Sequence, residues 1–361
     1  MAKENIIAFS QAHAEPEWLQ VRRQTAFDKI SELKLPLIQR VKLDRWNFGN
    51  NDITESLESS NVPDFTNLGE NPKLIQVGTT TVFQQLSPDL ANKGVIFTDF
   101  YSALEEIPEI IEQYFGTALP FDEDKLTAYH TAYFNSAAVL YVPDNVEVNV
   151  PVEGLFYQDS DEAVPLNKHV LIIVGKHAKL SYLERFESLG KDSVKNTANI
   201  AVEVIALEGA QVKFSAIDRL GSNLTTFISR RGRLNKNAQI DWNLGVMNEG
   251  NVVADFDSDL VGEGSHAELK AVAISSGKQI QGIDTRVTNY APHSIGHILQ
   301  HGVILEAGTL TFNGIGHIIR GAKAAGRASR RELIDAIAAS GVAYVPSKYE
   351  VSYLPDGRIR R

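Results

Sequence analysis

The stretch "NIAVEVIALEGAQVKFSAI", residues 199 to 217, decides the fold. Short runs rich in Val, Ile, Ala and Phe flank a glycine turn, and the second run alternates apolar and polar residues at the period of a strand. Its core element, Gly209-Ala210-Gln211-Val212, has counterparts in His177-Ala178-Lys179-Leu180, Asn237-Ala238-Gln239-Ile240 and His266-Ala267-Glu268-Leu269. Successive alanines stand 32, 28 and 29 residues apart, a period typical of stacked repeats. A hairpin sandwich needs no such period. One unit is too small to bury its own aliphatic face, so the units must stack, each strand bonded to its equivalent in the next coil. The expectation is a parallel β-helix, or β-solenoid. Similar runs, "AVLYVPDNVEVNVPV" (138–152), "HVLIIVGKHAKLSYLERF" (169–186), "TTFISRRGRLNKNAQIDWNLGV" (225–246) and "GEGSHAELKAVAI" (262–274), extend it from about Ser136.

Upstream the pattern is mixed. "EPEWLQVRRQTAFDKISELKLP" (15–36) places Trp18, Leu19, Arg22, Ala26, Ile30 and Leu33 at spacings of three and four, which reads as an amphipathic helix ending before Pro36. Residues 50–73 are rich in Asn, Asp, Ser, Glu and Pro and read as an exposed loop. "LIQVGTTTVFQQL" and "KGVIFTDF" read as strands, "SALEEIPEIIEQYFG" and "FDEDKLTAYHTAYFNSA" as helices. Three regions are therefore expected: a mixed N-terminal region (1–135), the β-helix core (136–325) and a distinct tail (326–361).

Composition bounds the chemistry. At 361 residues and 43% hydrophobic, the chain can bury a large core. No cysteine is present, which excludes disulfides, zinc-thiolate sites and a thiolate-held cluster on this chain alone. The net charge of −10 disfavours nucleic acid or an anionic membrane as main partner. The N-terminus lacks the basic and then long apolar stretch of a signal peptide, and no apolar run reaches membrane-spanning length, so a cytoplasmic protein is expected.

Four histidines, His293, His297, His301 and His317, fall in "HSIGHILQHGVILEAGTLTFNGIGHI" (293–318) and are the first metal candidates. On a helix the first three would share a face. Pro292, Gly296 and Gly302 oppose a helix, and on a strand successive histidines of the row stand about 13 Å apart at roughly 3.3 Å per residue, too far to chelate one ion. They are expected on a sheet surface, the alternative being a site shared with a partner chain. "ADFDSDLVGEG" (Asp255, Asp257, Asp259) lacks the glycine and glutamate of a calcium loop and reads as a polar strand face. "SRRGR" (Arg230, Arg231, Arg233) reads as a solvated turn rather than a phosphate site, and neither a P-loop nor a GxSxG elbow occurs.

Two stretches carry a resemblance. The start "EPEWLQVRRQTAFDKISELKLP...RW", with Trp18, Arg22, Leu35, Pro36, Arg45 and Trp46, and the late "NYAPHSIGHILQHGVILEAGTLTFNGIGHIIRGAKAAG" resemble the SufB/SufD family of the SUF iron-sulfur cluster assembly system, on its SufD side, from about residue 10 to 325. The resemblance implies a right-handed parallel β-helix behind an N-terminal helical region. It implies a scaffold that is no enzyme by itself, pairing with SufB through the β-helix and with the ATPase SufC. It also implies a cluster assembled transiently on the complex and no cofactor held by this chain alone.

The tail departs from the family, which would continue into a SufC-docking helical region with a His-containing segment at the SufB interface. Here Ser329 and Glu332 form a capping box opening the helix "RELIDAIAAS", Gly341 ends it, and "VAYVPSKYEVSYLPDGRI" reads as strands around a Pro-Asp-Gly turn. Residues 326–361 carry a local charge of +3 against −13 for the rest. SufC binding is accordingly doubtful on the sequence. The alternative function, a β-helix carbohydrate-active enzyme or binding protein, would want paired carboxylates and exposed aromatics. Three tryptophans, two of them N-terminal, and no secretion signal speak against it.

Overall fold

The computed structural model describes residues 2–38, 41–47, 53, 62, 65, 68–327, 342–344 and 349–351. Helices α1 (Ala2–Ala12) and α2 (Glu17–Ile30) come first, followed by strands β1 (Lys73–Val77) and β2 (Thr80–Gln85), α3 (Pro88–Asn92) and β3 (Ile96–Asp99). Next are α4 (Phe100–Glu106), α5 (Pro108–Tyr114), parted from α4 by Pro108, and α6 (Lys125–Tyr133). Every later element among the described residues is a strand: β4 (Ser136–Val142), β5 (Val152–Asp159), β6 (Leu166–Val174), β7 (Lys179–Leu189), β8 (Asn196–Ala206), β9 (Gln211–Arg219), β10 (Leu224–Leu234) and β11 (Gln239–Val246). The series continues with β12 (Val252–Leu260), β13 (His266–Ser275), β14 (Ile280–Asn289), β15 (Ile295–Ile304), β16 (Thr309–Ile318), β17 (Gly326–Arg327), β18 (Val342–Tyr344) and β19 (Tyr349–Val351). Helix α1 had no counterpart in the sequence reading. The tail's two short strands lie in parallel on β16, whereas the expected helix over 331–340 and the Pro-Asp-Gly turn lie outside the described residues.

The strands form a β-solenoid of about six turns. Odd-numbered strands build one sheet in the order β17-β15-β13-β11-β9-β7-β5-β1-β2, and the other runs β18-β16-β14-β12-β10-β8-β6-β4-β3. All neighbours are parallel except the antiparallel pairs β1–β2 and β3–β4, which sit at the solenoid's start. Strands β1 to β3 thus belong to the solenoid sheets although they lie within the mixed N-terminal region.

Inward positions alternate strictly on the middle strands. Val212, Phe214 and Ala216 of β9, Ile240, Trp242 and Leu244 of β11, and Ala267, Leu269 and Ala271 of β13 are all buried. Each large aliphatic or aromatic side chain so enclosed stabilises the fold by about 1.5–3 kcal/mol. Tyr182, Phe214 and Trp242 stack from coil to coil, with ring centroids 5.2 and 4.6 Å apart. The Trp242 indole N–H donates to Ser258 Oγ at 3.0 Å.

The repeat that gave the fold away proves to be a corner. Asn145, His177, Gly209, Asn237, Gly264, His293 and Ala324 all have left-handed backbone, φ between 54° and 70°. From Asn145 to His293 the N–H of each donates to the carbonyl just before the next corner residue, on Lys176, Glu208, Lys236, Glu263, Pro292 and Lys323. One continuous ladder therefore staples the coils. Ala178, Ala210 and Ala238 follow these corners and are fully buried. In the fourth copy the sequence alignment is off by two. Register pairs Gln239 with His266, so the equivalent of Ala238 is Ser265, then Ser294, while Ala267 matches Ile240. A shift of two preserves the buried face of a strand, which is why alternation alone did not expose it.

The N-terminal region covers the outer face of the even-numbered sheet. Leu19, Phe100, Phe115 and Phe134 pack on Val139, Leu171, Ile173 and Ile205, and Ile38, Val41 and Leu126 pack on Phe227 and Val253. Buried Arg23 ties α2 to this layer. It pairs with Glu15 at 2.7 Å, donates to the Phe134 carbonyl at 2.9 Å and lies over the Phe134 ring.

Candidate functional site

Among the described residues the outer face of the odd-numbered sheet carries no such layer. Its outward positions are mostly polar on β7, β9 and β11 and turn aliphatic towards the late coils. Ile217, Val272, Ile274, Ile295 and Leu305 are 37–42% exposed there. Register places Ile217, Gly245, Val272 and His301 in one row, with Ile274 beside Val303 in the next but one. A cluster of exposed aliphatic side chains on a flat sheet marks an interaction surface. Among the described residues Ile295 and Gly296 pair outward, with Gly326 and Arg327, and β15 is the last long strand of its sheet.

The candidate histidines fall in three different places. His293 is a left-handed corner residue, its Nε2 4.0 Å from Glu263 Oε1, with both side chains largely exposed. His297 and His301 lie on the outward face of β15, opposite Glu268 and Val272. His317 stands on β16 in the other sheet, opposite Thr288. The glycines between them point inward and let the sheets close on each other. A Cβ on Gly302 would run into Leu310 and Phe312, and one on Gly296 into Val287. Among the described residues no group of three or more His, Asp or Glu side chains converges to hold a metal. One contact escaped the sequence reading: His266, from the preceding coil, brings its ring to 5.5 Å from that of His297.

One of the two charged motifs is not where the sequence placed it. "SRRGR" is mid-strand on β10, not a turn. Arg230 points into the bore, bonded to Glu184 at 2.8 Å and Asp218 at 2.7 Å, all fully buried. Burial is the main force on Glu184 and raises its pKa to about 7 against the pull of Arg230. Lys168, also buried, donates to Gln76 Oε1 and Ser136 Oγ, and burial holds its pKa well below the ordinary value. Arg231 faces outward, joining Glu123 of the N-terminal region to Asp255 and Asp257 at 2.6–3.0 Å. The aspartates of "ADFDSDL" do form a polar outer face, but a largely buried one that serves this clamp. No phosphate-binding surface remains on the two arginines.

A second buried polar cluster joins the N-terminal layer to the solenoid. His130 Nε2 meets His169 Nδ1 at 3.1 Å, and His130 Nδ1 meets Asn199 Oδ1 at 3.2 Å. His169 Nε2 lies 3.1 Å from Glu203 Oε1 without hydrogen-bond alignment. Glu203 accepts from the backbone N–H groups of Gly116, Ala118 and Leu119 at 2.7–3.0 Å. Burial holds the His130 pKa well below its ordinary value, so the imidazole is a neutral bridge. No nucleophile stands in this relay. The sequence held a usable signal for the bore charges: Glu184 and Asp218 fall on the aliphatic phase of "KLSYLERF" and "QVKFSAID".

No helix among the described residues is long and apolar enough to cross a membrane. Two family models match the chain: the SUF system FeS cluster assembly SufBD core domain over residues 156–335, and the SufBD protein N-terminal region over 64–153. The chain is 35% identical over 338 residues to the iron-sulfur cluster assembly protein SufD of Bacillus subtilis strain 168, covering 90% of this chain and 76% of that one. It is 26% identical over 250 residues to an iron-sulfur cluster assembly SufBD family protein of Staphylococcus saprophyticus, covering 69% of this chain and 53% of that one. With such a protein of Staphylococcus haemolyticus it shares 23% identity over 344 residues, covering 89% and 73%.

Proposed function

Because this chain belongs to the SufBD family, as a SufD homologue in iron-sulfur cluster assembly, we propose that it is a scaffold subunit without catalysis of its own in a SUF complex, pairing with SufB through the late coils of its β-helix and working with the ATPase SufC. The observation that carries this reading is the group of exposed aliphatic side chains around Val272 and Ile274 on a sheet face that no other described residues cover. A flat apolar sheet face gains by burial against another protein. The buried polar groups do structural work inside the chain: Arg230 and Arg231 are consumed by their carboxylates, and the His130 relay ends on backbone amides. The cluster is cargo, assembled transiently on the complex. With no cysteine, this chain supplies no thiolate to hold it alone, and the thiol chemistry falls to partners. The absence of cysteine also suits a reducing, cytoplasmic setting.

Size-exclusion chromatography of the chain with SufB, with SufC, and with both tests the proposal at micromolar concentration. Co-elution with SufB is expected, weakened by Val272→Asp and Ile274→Asp. Separate elution from SufB in every mixture would defeat it, and the mixture lacking SufB reads the SufC contact by itself.

A further inference from the structure

The geometry points to a two-histidine binding site for a borderline divalent transition-metal cation, made by His266 of β13 and His297 of β15 on the outer face of the odd-numbered sheet. The two residues come from successive coils, 31 positions apart in sequence. Parallel register sets His266 opposite Ile295 and His297 opposite Glu268, so the histidines are diagonal neighbours on adjacent strands. Both side chains point outward, and their ring centroids lie 5.5 Å apart with planes inclined by 32°. Two imidazoles bound to one tetrahedral ion at about 2.0–2.1 Å per nitrogen have centroids roughly 5 Å apart. The rings therefore stand close to a chelating separation without any movement of backbone. Both residues are partly exposed, so an ion can reach them. Nearby Glu268 adds a negative charge, although its Oε1 already engages Lys270 at 3.1 Å.

The ligand class follows from the donors. Neutral imidazole suits Zn²⁺, Ni²⁺, Cu²⁺ and Fe²⁺, whereas Mg²⁺ and Ca²⁺ want oxygen. Since no third His, Asp or Glu among the described residues completes a group with them, the remaining positions on the ion fall to water or to a donor from another molecule. Such an open coordination sphere distinguishes this site from a closed structural one. Neither His293 nor His317 shares it, because one sits at a corner and the other in the opposite sheet. His301 is four residues along β15 from His297, about 13 Å away at roughly 3.3 Å per residue.

Zinc or nickel ions titrated into the full chain by isothermal calorimetry test the site, with H266Q, H297Q and the control H301Q. One ion per chain is expected, with affinity about tenfold or more weaker in H266Q and in H297Q and unchanged in H301Q. Absence of binding to the parent chain would show that the rings merely stack, and binding that survives both substitutions, or that falls equally in H301Q, would likewise overturn the proposal. A readout independent of variants is protection of the parent chain from diethyl pyrocarbonate. Saturating Zn²⁺ should slow modification of both His266 and His297 but not His301, and unchanged rates at the pair would refute the site.

Discussion

At the scale of single residues, the corner positions govern stability. Gly209 has φ of +68°, and a Cβ there would press into the His177 ring stacked above it. Gly209→Ala is expected to cost about 1–3 kcal/mol in denaturant titration, from left-handed strain plus the clash. Gly245→Ala, outward with ordinary contacts, should stay within about 0.5 kcal/mol. His297→Asn should change stability by less than about 1 kcal/mol, as at other partly exposed sites, and a loss of several would mean a buried partner. Glu184 gives a pH signature. Burial raises its pKa from 4.5 to about 7 in the folded chain. The folded state then binds a proton that the unfolded chain releases, so its contribution is fully present below about pH 4.5 and is lost as pH rises through about 7, by up to about 3 kcal/mol. Glu184→Gln should flatten that part of the stability-pH curve relative to the parent, and an unchanged slope would place the titration elsewhere.

At the scale of elements, docking of the helical layer on the solenoid is decided by a few polar anchors within an apolar contact. Glu203 on β8 collects three backbone N–H groups from the turn after α5, and Arg23 on α2 holds the Phe134 carbonyl. Glu203→Ala leaves two buried donors and a part-buried one without their acceptor, at a cost of about 3 kcal/mol or more. Hydrogen exchange should show the amides of Gly116, Ala118 and Leu119 losing protection while the β9 to β13 ladder keeps its own. Uniform loss across both would mean that layer and solenoid unfold as one unit. Helix α2 was readable because Leu19, Ala26 and Ile30 recur at helical spacing, but the buried arginine of that face is Arg23 rather than Arg22, and Leu33 lies beyond the helix end. Helix α1 was passed over because its buried residues, Ile6, Phe9 and Ser10, are few and one of them is polar.

At the scale of the whole molecule, the described residues form a solenoid with one sheet covered by the N-terminal layer and the other not. Chemical reconstitution of the purified chain with iron and sulfide should give no stable, stoichiometric brown chromophore, for want of thiolates, and visible absorption checks it. The sequence by itself determined the β-helix: a period near 30 residues in strand-forming runs has few other solutions, and the left-handed corner residues, Gly and Asn among them, are readable because few residues tolerate that backbone. It also determined the absence of thiolate chemistry and placed His293, His297 and His301 apart along the chain. Only the tertiary structure decided which charges are buried, because the group of Arg230, Glu184 and Asp218 is assembled from three strands of two successive coils. The pairing of His266 with His297 and which sheet the N-terminal layer covers were hidden for the same reason. Neighbours in a solenoid are a whole coil apart in sequence, and coils of 27 to 32 residues set their register by hydrogen bonding between strands rather than by local pattern.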